Sequence, residues 1–140
     1  MDEVQLRRDL RRDEGVRLKP YYCTAGKLSI GAGRNLDDTG ITEAEAVILL
    51  ENDIARVKLR LDQSVPFWRT LPEPAARGLC NMCYQLGIGG LLKFKQTLAL
   101  LEIGDYNSAA DEALNSLWAK QSPERAMRVT DLFRLSVKNT

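Results

Sequence analysis

The chain has 140 residues, of which 44% are hydrophobic, so it is long enough and apolar enough to fold around a buried core. Its 20 basic and 19 acidic residues give a net charge of +1, and we therefore expect no nucleic-acid partner. No apolar run approaches the roughly 18 residues of a membrane span, and the start lacks the apolar core of a secretory signal. We expect a globular protein, made in the cytoplasm and not inserted in a membrane.

The sequence contains no histidine, which excludes Ser-His-Asp and Cys-His catalysis and leaves carboxylates, thiols, tyrosines and lysines as acid–base groups. Cys80 and Cys83 form a lone C-x-x-C in a helical-looking segment. Without a second cysteine pair or a histidine pair this is a poor zinc site. We predict that both cysteines belong to the core, and we predict no metal and no cofactor.

The first predicted helix ends at Gly15, a residue suited to the left-handed conformation that follows many helix ends. Glu14 then lies at the helix C-terminus, where the negative end of the helix dipole disfavours a charged carboxylate. A carboxyl group that keeps its proton near neutral pH can act as a general acid. Glu14 is therefore the first candidate for a reaction centre.

The segment YYCTAGKLSIGAGRN predicts short strands joined by glycine turns, because Leu28 and Ile30 alternate with polar residues. Thr42 and Glu45 have the spacing of a capping box. Apolar residues then recur at intervals of three and four over 47–61. This pattern predicts a long amphipathic helix that connects the strand region to the rest of the chain.

From Val65 onward the sequence predicts helices, the last of which opens with Ser122 as a cap and Pro123 at its first position. The predicted class is α+β and mostly helical, with a small sheet near the N-terminus. We predict one domain, 1–140, made of an N-terminal helix and small sheet lobe in 1–41, a connecting helix in 42–63 and a helical lobe in 64–140.

Three stretches occur in order along the chain: LRRDEGVRLKPYYCTAGKLSIGAGRN, ARGLCNMCYQLGIGGLLKF and NSLWAKQSPERAMR. In this order they resemble the active-site stretch, the buried central helix and the W-x-x-Q-T-P-x-R-A-x-R stretch of the T-even phage lysozyme family, the phage-type muramidases. Glu14, Cys23 and Ser29 match the spacing of that family's catalytic Glu, its Asp or sometimes Cys, and its Thr. The resemblance covers essentially the whole chain.

The resemblance implies a lysozyme-like two-lobe fold. It also implies hydrolysis of the β-1,4 bond between N-acetylmuramic acid and N-acetylglucosamine in bacterial peptidoglycan, in a cleft between the lobes. Glu14 would be the general acid, with Cys23 and Ser29 as its partners. Glycoside cleavage needs such an acid and a second group that activates water or stabilises the oxocarbenium-like centre.

The resemblance also implies supporting residues. An Arg of the P-x-R-A-x-R run pairs with the catalytic Glu in the family, which points here to Arg125, while Arg128 would reach Asp13. Three amide side chains are candidates for contacts with the substrate, and for the first two a structural role is about as well supported. They are Asn81, Gln85 and Gln121.

This chain departs from the family pattern at three site positions. An unperturbed thiol has a pKa of about 8.5, so Cys23 would be mostly neutral unless Lys19, Lys27 or Arg34 lowers that value. It could act as a base, a nucleophile or a charge. Ser29 keeps the hydroxyl of the usual Thr but loses its methyl group. Arg34 replaces the usual His with a permanent cation, which could attract Cys23 or a carboxylate at the helix end.

The short LDDT segment, where longer family members carry a helix and a loop, predicts a reduced small lobe. We expect a monomer that is made in the host bacterial cytoplasm and acts on the periplasmic cell wall, with a holin for release. Two alternatives stay open. One is a catalytically impaired module that binds peptidoglycan, and the other is a lytic transglycosylase, whose product differs from that of hydrolysis by one water.

Overall fold

The computed structural model describes the backbone of residues 1–139 and the side chains of residues 1–137. The elements, in chain order, are α1 (Glu3–Glu14), β1 (Arg17–Tyr22), β2 (Leu28–Gly31), β3 (Arg34–Asn35), α2 (Glu43–Ser64), a 3₁₀ helix (Pro66–Thr70), α3 (Glu73–Leu91), α4 (Lys95–Glu102), α5 (Tyr106–Leu114), α6 (Leu117–Gln121), α7 (Pro123–Leu135) and a second 3₁₀ helix (Ser136–Asn139). The predicted class, α+β and mostly helical, is confirmed. Within the described residues no helix is both long and apolar enough to cross a membrane.

The chain forms two compact units, an N-terminal unit (Met1–Leu49) and a helical unit that starts at Leu50. α2 begins in the first unit and ends in the second, as the predicted connecting helix requires. Whether the units form the single predicted domain stays a prediction.

α1 ends where the sequence predicts, and an N-cap fixes its start. The side chain of Asp2 accepts a hydrogen bond from the amide of Gln5 at 3.0 Å and so caps the first turn. Gly15, with φ at 72°, follows the last helical residue and donates its amide to the carbonyl of Arg11. No side chain of this helix is buried.

The strands form a three-stranded antiparallel sheet in the order β1-β2-β3, which confirms the predicted small sheet. Tyr22 lies opposite Leu28 at the β1–β2 turn, and Ile30 lies opposite Arg34 between β2 and β3. The pairing of β1 with β2 is irregular between Arg17 and Tyr21.

Two aspartates hold the short turn that follows β3. The carboxylate of Asp37 accepts the amide of Leu28 at 2.7 Å. Asp38 accepts hydrogen bonds from the side chains of Lys27 and Asn35, at 3.2 and 2.9 Å. Hydrogen bonds and an ion pair therefore hold the short LDDT segment in place, at the position where longer family members carry a helix and a loop.

The capping box at the start of α2 is confirmed. The Thr42 hydroxyl accepts the amide of Glu45 at 3.1 Å, and the Glu45 carboxylate accepts the amide of Thr42 at 2.9 Å. This reciprocal pair satisfies two amides of the helix end and fixes where α2 begins.

The helical unit contains the apolar core. Buried side chains come from the end of α2 and from every later α-helix: Leu61, Val65, Trp68, Ala75, Leu79, Met82, Cys83, Leu91, Leu98, Leu101, Tyr106, Ala109, Ala110, Ala113, Trp118, Ala126, Val129 and Phe133. α3 approaches α7 closely at Gly78, where a Cβ would lie 3.1 Å from the Phe133 ring. Cys83 is buried and Cys80 packs against the core, so the predicted structural role of both is confirmed.

Gly87 has non-helical angles within α3, which agrees with a helix stop at this glycine. Two other helix boundaries differ in detail from what the sequence predicts. The segment YNSAADEALNSLWAK, which the sequence pattern predicts as one helix, forms two, because the Ser116 side chain accepts the amide of Ala119 and starts α6. Ser122 precedes α7 as predicted, but its hydroxyl does not cap that helix. It accepts a hydrogen bond from Gln85 instead.

Candidate functional site

Glu14 lies at the C-terminal end of α1 with its side chain exposed. Its carboxyl group rests on the turn between β2 and β3. A Cβ built at Gly33 would lie 3.1 Å from Glu14 Oε2 and 3.5 Å from its carboxyl carbon. Gly33 has no side chain, and the space that this leaves lies beside the carboxyl group of Glu14, the predicted general acid.

Cys23 is the first residue after β1, at the start of a tight hairpin loop. Its amide donates to the Lys27 carbonyl at 2.9 Å, and its carbonyl accepts the amide of Gly26 at 2.8 Å. Gly26 has φ at 77°, a conformation that glycine adopts without steric cost. This closed loop directs backbone amides toward the Cys23 sulfur.

The environment of Cys23 favours the thiolate. A hydrogen bond from the backbone of Lys27 is the largest cause that lowers the thiol pKa from its ordinary value. The backbone of Ala25 acts in the same direction. Desolvation opposes these two effects, and the hydroxyl of Ser29 lowers the pKa by less than desolvation raises it. The sequence named Lys19, Lys27 and Arg34 as cations that could lower this pKa. The groups that lower it are instead backbone amides and a hydroxyl.

Ser29 is the buried partner of Cys23. It lies on β2 with 2% of its surface exposed, and its hydroxyl donates to the Lys27 carbonyl at 3.1 Å. A hydroxyl has one proton to donate and lone pairs to accept with. It can therefore turn its proton to the sulfur when Cys23 is a thiolate and back to the Lys27 carbonyl when the thiol is neutral.

Arg34 does not pair with Cys23 or with a carboxylate of the α1 end, contrary to expectation. Its Nη1 donates to Glu45 Oε1 at 2.8 Å and to the Gly40 carbonyl at 3.1 Å. The hydrogen bond from Arg34, followed by the amide of Thr42, lowers the pKa of Glu45 to about 2. The physical reason is geometric, since β3 carries Arg34 toward the start of α2. Arg34 thus ties the sheet to that helix.

Asp13, the predicted partner of Arg128, has a local partner. Its two carboxylate oxygens accept hydrogen bonds from Arg12 at 2.9 and 3.2 Å. Arg128 lies on α7 with an exposed side chain. The proposed contact between Arg128 and Asp13 stays a prediction.

In the helical unit, Asn81 and Arg125 are brought together. Arg125 Nε donates to Asn81 Oδ1 at 2.8 Å, and Arg125 Nη2 donates to the Asn81 carbonyl at 3.3 Å. Both residues line an open groove of about 470 Å³, together with Tyr84 and Cys80. The pairing of Arg125 with Glu14 stays a prediction.

Gln85 has two structural partners. Its Oε1 accepts the indole N–H of buried Trp118 at 2.8 Å, and its Nε2 donates to the Ser122 hydroxyl at 3.0 Å. Gln85 therefore links α3 to α6 and to the start of α7. This arrangement favours the structural role that sequence reasoning left open for this amide.

A second groove of the helical unit was missed by the sequence analysis. It measures about 660 Å³ and is lined by Phe94, Thr97, Trp118 and Gln121, among others. Thr97 is 1% exposed and lines this groove from α4. A threonine inside an apolar helix gives no functional signal in the sequence. Of the residues that line this groove, the sequence analysis singled out only Gln121, as a candidate contact with the substrate.

The structure thus places Cys23 in contact with Ser29 and sets Glu14 on the turn at Gly33, all within the N-terminal unit. Their sequence-predicted roles remain predictions. Among the residues that the structure describes, no group of three or more His, Cys, Asp or Glu side chains could hold a metal ion.

Comparison with known proteins relates the chain to lysozymes. It is 34% identical to the pre-baseplate central spike protein Gp5 of Enterobacteria phage T4 over 86% of the chain, but spans only 26% of that protein. It is 30% identical to the probable T4-type lysozyme 2 of Dictyostelium discoideum, over 89% of the chain and 90% of that relative. It is also 30% identical to an endolysin of Acyrthosiphon pisum secondary endosymbiont phage 1, over 79% of the chain and 75% of that relative. The family model for phage lysozyme matches residues 11–132, which run from the end of α1 into the last long helix, and the chain therefore belongs to the phage lysozyme family.

Proposed function

We propose that this protein hydrolyses the β-1,4 bond between N-acetylmuramic acid and N-acetylglucosamine in bacterial peptidoglycan, with Glu14 as the general acid. Membership of the phage lysozyme family supports a lysozyme-type function. The observation that carries the finer proposal is that one compact unit contains both an exposed helix-end carboxyl group and a thiol whose pKa is lowered. Glycoside cleavage requires a proton donor and a second group that activates water or stabilises the oxocarbenium-like centre, and the Cys23 thiolate takes the place of the usual second carboxylate.

Glu14 delivers its proton to the leaving glycosidic oxygen as the bond to the sugar carbon breaks. Cys23 acts as a thiolate, whose negative charge stabilises the oxocarbenium-like centre or activates the attacking water. The amides of Lys27 and Ala25 support this role because they lower the pKa of Cys23 and so increase the thiolate fraction near neutral pH. Ser29 holds the sulfur and, when its proton is free, a water.

The remaining site residues support this chemistry. Arg125 and Arg128 are the supporting arginines that the resemblance to the family implies, the first for Glu14 and the second for Asp13. Asn81 and Gln121 contact the glycan from the two grooves of the helical unit. Arg34 acts indirectly through Glu45, by fixing the sheet against the start of α2.

The partner is peptidoglycan, and the protein acts on it as a monomer with one lysozyme-like domain. It reaches the periplasmic wall from the host cytoplasm with the help of a holin. Endolysin relatives support action on the cell wall, whereas the relative from phage T4 carries its matching region within a much longer protein.

Digestion of purified Gram-negative peptidoglycan tests the proposal. We expect the wild type to release fragments with new reducing ends and Glu14→Gln to release none, while Glu3→Gln, an exposed carboxyl on the same helix, stays active. Mass spectrometry identifies the products. Fragments lighter by one water would show a lytic transglycosylase, and binding without any cleavage would show an impaired binding module.

The role of Cys23 is tested in the same assay. Cys23→Ser replaces the thiolate with a hydroxyl that stays neutral at every pH of the assay, and Cys23→Ala removes the group. We expect both variants to lose activity to a similar extent, because the charge is lost in both. Full activity of Cys23→Ala would remove Cys23 from the mechanism and leave Glu14 in place.

A further inference from the structure

The two glycines of the turn Gly31–Ala32–Gly33 have the same backbone requirement but different surroundings. Both have positive φ, 68° at Gly31 and 79° at Gly33, which favours glycine at each position. A Cβ at Gly31 would meet no atom within 4 Å. A Cβ at Gly33 would meet the Glu14 side chain, with contacts of 3.1, 3.5 and 3.7 Å to Oε2, the carboxyl carbon and Cβ.

The close contact at Gly33 involves a functional group rather than the backbone. At 3.1 Å a Cβ would be tighter than nine in ten such contacts, so the neighbour would have to shift by a few tenths of an ångström. That neighbour is the end of an exposed, flexible side chain, which can move at little cost in stability. The consequence is a displaced carboxyl group in a protein that still folds.

We propose that Gly33 is a positioning residue for the general acid, because its missing side chain lets the Glu14 carboxyl group lie against the β2–β3 turn. This inference rests on the proposed function of Glu14. It assigns the turn a second task besides reversing the chain. The turn sets where the carboxyl group lies and how much water reaches Oε2.

A methyl group at position 33 displaces the carboxyl group of Glu14. Since a misplacement of about 1 Å can cost about a hundredfold in rate, a shift of a few tenths corresponds to roughly a tenfold loss of kcat.

The experiment compares Gly33→Ala with Gly31→Ala in the full chain. Both variants introduce the same strain at positive φ, so we expect similar decreases in melting temperature. kcat and KM are measured over pH with soluble peptidoglycan fragments. We expect Gly33→Ala to lose roughly tenfold in kcat with KM little changed, and Gly31→Ala to stay close to the wild type.

A second readout does not depend on turnover. The carboxyl carbon signal of Glu14, assigned with Glu14→Gln, is followed by NMR over pH in both variants. We expect its titration curve to change in Gly33→Ala and to match the wild type in Gly31→Ala. If Gly33→Ala does not fold, Gly33→Asn and Gly31→Asn replace the pair, since Asn tolerates positive φ better than most residues and brings the same Cβ.

Equal losses of kcat in the two variants, with matching Glu14 titration curves, would overturn the positioning role while leaving the general acid intact. If the wild type cleaves no peptidoglycan, the proposed function fails. The NMR comparison then still decides whether Gly33 controls the Glu14 carboxyl group.

Discussion

The N-terminal unit and the helical unit are stabilised in different ways. In residues 1–49, all of which the structure describes, Ser29 is the only buried side chain. Polar contacts define this unit, notably the Arg34–Glu45 pair and the aspartates of the short turn. The helical unit instead buries a continuous apolar core. The proposed acid, thiol and hydroxyl all lie in the unit that has no apolar core of its own.

This difference has a physical consequence for function. Hydrogen bonds and turns fix the direction of individual polar groups, whereas apolar packing supplies most of the free energy of unfolding. Substitutions of the site residues in the N-terminal unit should therefore change activity with little change in stability. Substitutions in the core of the helical unit should do the reverse.

The largest expected effect is on the core. Phe133→Ala removes a fully buried ring that packs where α3 approaches α7, and we expect a loss of about 3–5 kcal/mol in the free energy of unfolding. Leu135→Ala, on the same helix but half exposed, should cost much less. Chemical denaturation followed by circular dichroism measures both. Equal losses would contradict the assignment of stability to this core.

Glu14→Gln, in contrast to Phe133→Ala, should lower activity strongly and leave stability almost unchanged. We expect at least about a hundredfold loss of peptidoglycan cleavage, which is the usual contribution of a general acid. The free energy of unfolding should stay within about 0.5 kcal/mol of the wild type, because the side chain is exposed. A larger drop in the free energy of unfolding would mean that Glu14 has a structural role. It would contradict the expectation that site residues of the N-terminal unit affect activity rather than stability.

Gln85→Leu tests a polar contact at the edge of the core. It leaves the indole N–H of buried Trp118 without its acceptor, and we expect a loss of about 1–3 kcal/mol. Gln85→Glu keeps an acceptor for the indole and should cost less. If Gln85→Leu and Gln85→Glu lose the same free energy of unfolding, the hydrogen bond to Trp118 contributes nothing measurable to stability.

The sequence predicted local features well because their signals are local. Gly15 marks the end of α1, and the interval between Thr42 and Glu45 marks the start of α2. Both depend on residues at most four positions apart. The break between α5 and α6 was missed because Ser116 is compatible with a continuous helix until its side chain caps a new one.

The partners of the site residues could not be predicted to the same degree. Which carboxylate Arg34 pairs with depends on the direction in which β3 carries its side chain. That direction is a property of the fold and is not visible in the sequence. The groups around Cys23 are backbone amides, whose directions follow from the loop geometry and leave no mark on residue type. The catalytic roles came from the resemblance to a family and stay predictions.

Cys23→Asp sharpens the functional side of the comparison. If Cys23 acts as a thiolate, activity falls as the pH drops through its lowered pKa. An aspartate has an ordinary pKa of about 3.9, so the acidic limb of the pH–rate profile should move to lower pH in this variant. Cys83→Ala, at a buried thiol of the apolar core, is the control. An unmoved limb would show that the charge of residue 23 does not limit the rate.

The smallest expected effect concerns the Arg34–Glu45 pair, whose two side chains are each more than a third exposed. The pKa of Glu45 lies at about 2, below its ordinary value of 4.5, so the charged carboxylate is favoured in the folded state. This stabilisation is complete above pH 4.5 and disappears as the pH falls toward 2. We therefore expect Glu45→Gln to lower the melting temperature slightly at neutral pH and not at all near pH 2.

Glu43→Gln, in the same helical turn but without an ion pair within the described residues, should show no such trend. A constant difference at every pH would mean that the capping hydrogen bond to Thr42, rather than the charge paired with Arg34, is what Glu45 contributes.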